Sequence, residues 1–152
     1  MYEPIRTKSV HSTMAGAPSD FPHRSREEEL DIQLAGHLAA LLAVTDELRA
    51  TAPSADLDTA AERLAVQVAR LRGGRKPARS TSPDRTPDRT PDRTLDRTSG
   101  PAALHGRAHA LAGRALVVAA SRADTAAAIL AAERMDAHAA AQAEAQELTG
   151  VG

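Results

Sequence analysis

Two histidines, His105 and His109, stand four residues apart in a stretch rich in alanine. On a helix that spacing puts both imidazoles on one face, the arrangement metal-binding histidine pairs use. His138, His37 and the carboxylate of Glu133 are further donors in principle. The run Leu104-His105-Gly106-Arg107-Ala108-His109 lacks the glutamate of a hydrolytic His-Glu-x-x-His helix, and no second closely spaced ligand pair accompanies it. Two ligands alone are a weak metal site, so structural histidines are the expectation here. His37 falls among Leu34, Leu41 and Val44 in helical projection, where a core imidazole needs a polar partner. Loss of packing on acidification is expected if His37 charges there without one.

The other chemical concentration is cationic. Arg70, Arg72, Arg75, Lys76 and Arg79 form a basic patch that phosphate groups would recognise. No aromatic residue lies nearby for base stacking, and cations also favour a helix C-terminus through the dipole. The sequence holds no glycine-rich phosphate loop, no nucleophile elbow and no cysteine. A non-enzymatic protein without a cofactor is therefore expected.

These residues must be positioned by helices. Ser25 with Glu28 makes a reciprocal capping pattern, and Glu27 to Glu29 suit the positive end of a helix dipole. Leu30, Leu34, Leu38, Leu41, Val44 and Leu48 then recur at three- and four-residue steps, which predicts a helix to about Ala50. Pro53 interrupts it, Ser54 or Asp56 caps a second helix, and Gly73-Gly74 ends that one. Leu57, Ala61, Leu64, Val68 and Leu71 form its narrow apolar seam. The short break between the two predicts an antiparallel hairpin over 25–72.

After it the pattern vanishes. Within residues 73–100, Pro83-Asp84-Arg85-Thr86 recurs exactly as 87–90 and 91–94 and, with leucine replacing proline, as Leu95–Thr98, and the copies hold nothing apolar to bury except Leu95. A disordered linker is expected, with Ser82, Thr86 and Thr90, each before a proline, as phosphorylation candidates. Residues 1–24 show no hydrophobic period and are expected to be disordered too, with Met14 an alternative start.

From Pro101 to Leu148 alanine dominates, and alanine is the best helix former because it loses no side-chain entropy. Leu104, Leu111, Val118 and Ile129, with Ala108 and Ala115, define one face. The expectation over 101–148 is one long helix of ~70 Å, with a kink where Ser121 or Asp124 offers a fresh cap. Packed on the hairpin it would complete an all-α three-helix bundle.

Ala120-Ser121-Arg122 through Ile129-Leu130 and Met135 is similar to the opening helix of the ANTAR RNA-binding domain of response regulators. That resemblance implies the first of three helices here. The sequence ends before two more helices, so the resemblance is not carried further.

The formal net charge of −1 gives no global pull toward nucleic acid or anionic lipid. No signal peptide or spanning segment is legible, and absent cysteine suits a reducing compartment, so a cytoplasmic protein is expected. Stripes of alanine and leucine this thin cover little area, which predicts self-association or a helical protein partner. A nucleic-acid-associated regulator acting through residues 70–79 is the alternative, and a metal-binding bundle through His105 and His109 the second.

Overall fold

The computed structural model describes residues 24–79 and 100–150. The expectations for 1–23, the tetrapeptide repeat and its phosphorylation candidates lie outside the described residues. Within them the protein is all-helical, with four helices: α1 Arg26–Thr51, α2 Ala55–Leu71, α3 Pro101–Arg122 and α4 Thr125–Gly150. No described helix is long and apolar enough to cross a membrane.

The hairpin forms where the sequence places it. Ser25 Oγ accepts from the Glu28 amide at 3.1 Å while the Ser25 amide donates to Glu28 Oε2 at 3.3 Å, so α1 starts with both halves of the capping box. Ser54 Oγ accepts from the Leu57 amide and caps α2 with the side-chain half alone, since leucine cannot return the bond. At its far end Gly73 and Gly74 take φ of 69° and 95°, the left-handed region that glycine enters without steric cost.

The second half departs from expectation. The alanine pattern predicts one kinked helix of ~70 Å, but the chain reverses at Ala123, giving a four-helix rather than a three-helix arrangement. Ala123 adopts φ 60°, ψ 34°. The Asp124 amide donates to the Ala119 carbonyl at 2.9 Å and the Ala123 amide to Ala120, a Schellman closure of α3. Asp124 Oδ1 then accepts from the Ala127 amide at 3.2 Å and caps α4. The cap predicted at Asp124 exists, but it starts a returning helix and not a kinked continuation. Ala120–Met135, the stretch similar to the opening ANTAR helix, therefore straddles the elbow.

Ion pairs fix the helix directions. Arg122 at the end of α3 meets Asp31 near the start of α1 at 3.0 Å, so those two run antiparallel. Arg70 meets Asp124 at 2.7 Å and Arg63 meets Glu133 at 2.6 Å, so α2 and α4 are antiparallel as well. The order is up, down, down, up, and residues 73–79 lead back from the end of α2. Arg79 already lies back beside Asp46, near the opposite end of the hairpin from Gly73.

The core is leucine on one side and alanine on the other. Leu34, Leu38, Leu41, Leu42 and Leu48 of α1 and Leu64 and Val68 of α2 are fully buried. On α3 the buried ladder is Ala108, Ala112, Ala115 and Ala119, whose small side chains let α1 and α4 approach closely. Leu111 and Val118 are only partly buried at its flanks, and Ile129, read as a core position, is 52 % exposed. α1 packs on α2 and α3, and α3 on α4, whereas α2 and α4 barely touch.

Candidate functional site

Three features gather chemistry. The first lies between α3 and α4. His105 Nδ1 is 2.9 Å from Nδ1 of His138, with ring centroids 5.2 Å apart. One nitrogen must donate and the other accept, so the contact exists only while at least one ring is neutral. His138 is 1 % exposed and its Nε2 is an orphan. Arg134, one turn earlier on α4, is also buried; its Nη1 donates to Asp56 of α2 at 3.1 Å, and its Nε has no partner. Burial first, then the Arg134 charge and then His105, push the His138 pKa down to about 4. Burial followed by Arg134 lowers His105 as well.

His105 and His109, the weak metal pair that the spacing offers, take different partners. His109 Nδ1 instead lies 3.1 Å from the Met135 carbonyl, to which it donates. Among the described residues no three His, Asp or Glu side chains converge to hold a metal ion. Glu133 is turned outward onto Arg63, and His37 is half-buried on α1.

The second feature is the basic patch, which the fold divides. Arg70 is drawn onto Gln67 and Asp124, and Arg79 onto Asp46, with contacts of 2.9 and 3.0 Å to its two oxygens. Asp46 is buried; burial raises its pKa, but hydrogen bonds from Arg79 and then Arg49 outweigh that and hold it below the usual carboxylate range. Arg72, Arg75 and Lys76 are exposed and make no ion pair among the described residues.

The third feature was missed by the sequence reading. Where α2 and α4 fail to pack, an apolar cavity of about 360 Å³ opens, lined by Val66, Ala126, Ile129 and Leu130 with Glu62, Arg63 and Gln67 on its rim. Val66 is 62 % exposed. Arg70–Asp124, Arg63–Glu133 and Arg134–Asp56 cross this seam at three levels, so charge holds together what side-chain packing does not. Around the elbow a second hollow of about 290 Å³, walled by alanines and again by Ile129, continues the apolar surface. The sequence carries one trace of this hollow: Val66 lies outside the four-three seam of α2.

No protein-family model matches the chain, and neither a curated protein nor a solved structure shows detectable similarity to it.

Proposed function

We propose that this is a non-enzymatic helical interaction module whose docking face is the seam between α2 and α4, taking an apolar helical surface. The observation that carries the reading is the gap itself. Three of the four adjacent helix pairs in the ring are closed by packing, and the fourth leaves Val66 and Ile129 in water. Covering a valine or isoleucine contributes about 1.5–3 kcal/mol when burial is complete, so the exposed pair favours a partner. A cytoplasmic location accompanies this reading, in keeping with a chain that has no cysteine.

A photo-crosslinking side chain introduced at position 66 in the native cell tests it. One discrete adduct, lost when Ile129→Glu charges the seam, is expected. Only the uncrosslinked chain would overturn the reading. A nucleic-acid role would rest on Arg72, Arg75 and Lys76, the cations of the patch left in water. It predicts salt-sensitive binding of DNA or RNA that disappears when those three become glutamine.

A further inference from the structure

We infer that the surface seated on the seam is the same seam of a second copy of this chain, related by a two-fold axis that runs perpendicular to α2 and α4 between Val66 and Ile129. The inference rests on the reading of the seam as a docking face and names its occupant. Val66 and Ile129 lie at one level of the bundle, because the Arg63–Glu133 and Arg70–Asp124 pairs bracket both. An axis at that level sets α2 antiparallel to its copy and α4 antiparallel to its copy, with each exposed apolar residue facing itself.

The charges on α2 fit this operation. Glu62 and Arg70 stand four residues before and four after Val66, on the same outward stripe, with side chains 77 % and 47 % exposed. Within its own copy Glu62 is 3.9 Å from Arg79 and Arg70 holds Asp124 at 2.7 Å, so the two-fold sets Glu62 opposite the Arg70–Asp124 pair of the second copy, where the half-exposed Arg70 guanidinium would bridge two carboxylates. On α4 the same axis sets Glu133 against Thr125, four residues either side of Ile129, so no like charges meet. An axis parallel to the helices fits worse. It would bring Glu62 and Glu133 of opposite copies to one level with the apolar residues crossed, Val66 on Ile129. Interfaces built on a closed two-fold use one patch twice, and a patch with an acid and a base equidistant from an apolar centre is self-complementary.

The chain has no cysteine of its own, which makes the geometry directly testable. Val66→Cys and Ile129→Cys are introduced singly into the full chain and oxidised under dilute, mild conditions. Ala40→Cys serves as the control, on the exposed side of α1, which packs on α2 and α3 but not on α4. Each seam variant is expected to form a disulfide-linked homodimer faster than the control. Adding Glu62→Arg, which sets arginine opposite Arg70, is expected to slow Val66→Cys crosslinking about tenfold. Seam variants that crosslink no faster than the control would overturn the inference. So would crosslinks that form only in a mixture of the Val66→Cys and Ile129→Cys chains, the signature of the parallel axis. Failure here together with an in-cell adduct of some other mass at position 66 removes the second copy but leaves the docking face; absence of any adduct removes both.

Discussion

At the scale of single residues the most constrained group is His138. A neutral imidazole is stable in this position because it shares a proton with His105 and need not bring charge beside Arg134. In the unfolded chain the same imidazole takes up a proton near pH 6.5, whereas in the folded protein it does so only at about 4. Between those values the unfolded state binds more protons, so the stability this group contributes is whole above pH 6.5 and is lost as pH falls toward 4. Asp46 and Asp124, both held below the usual carboxylate range, lose their contributions at lower pH still. Denaturant titration across pH 7 to 4 is expected to show a fall on the order of 2–3 kcal/mol, largely flattened in His138→Leu. A profile of unchanged slope in that variant would show that another group carries the effect. The sequence shows both His105 and His138 but not their contact, since they are 33 residues apart and only the reversal at Ala123 brings them together. Spacing alone sets His109 one turn from His105 on the same helix face.

At the scale of elements, the caps were legible and the elbow was not. Ser25, Ser54 and the Gly73-Gly74 pair use residue types selected for those positions, and α1 and α2 begin and end where they predict. The turn between α3 and α4 contains neither glycine nor proline. It places an alanine in the left-handed region, a conformation that costs an L-residue roughly 1–2 kcal/mol, and nothing in an alanine-rich run marks which alanine will take it. What stabilises the reversal is distant in sequence: Asp124 caps α4 and pairs with Arg70, and Arg122 reaches Asp31. Ala123→Gly relieves the strain at some cost in unfolded-chain entropy and is expected to raise stability by about 0.5–1 kcal/mol. Thermal melts of the two proteins decide it. A lower melting temperature for the glycine variant would mean that the elbow is not under strain and that α3 and α4 are joined in some other way.

At the scale of the whole molecule, the reversal converts a hairpin and a rod into a ring of four helices with one open side. Had 101–148 formed a single helix, Ile129 would have continued the face begun by Leu104. The fold returns that face upon itself, fills the centre with the alanine ladder of α3, and leaves Ile129 beside Val66 at the seam. All-helical character and the hairpin could be read from periodicity, since each depends on local spacing. The open seam could not, because it arises from two helices 50 and more residues apart that are bridged by charge but not packed. Sedimentation equilibrium of the wild-type chain over a wide concentration range tests self-association most directly. The predicted result is a concentration-dependent rise from 15.9 kDa to twice that mass, abolished by Ile129→Glu. A single mass of 15.9 kDa at every concentration would contradict it.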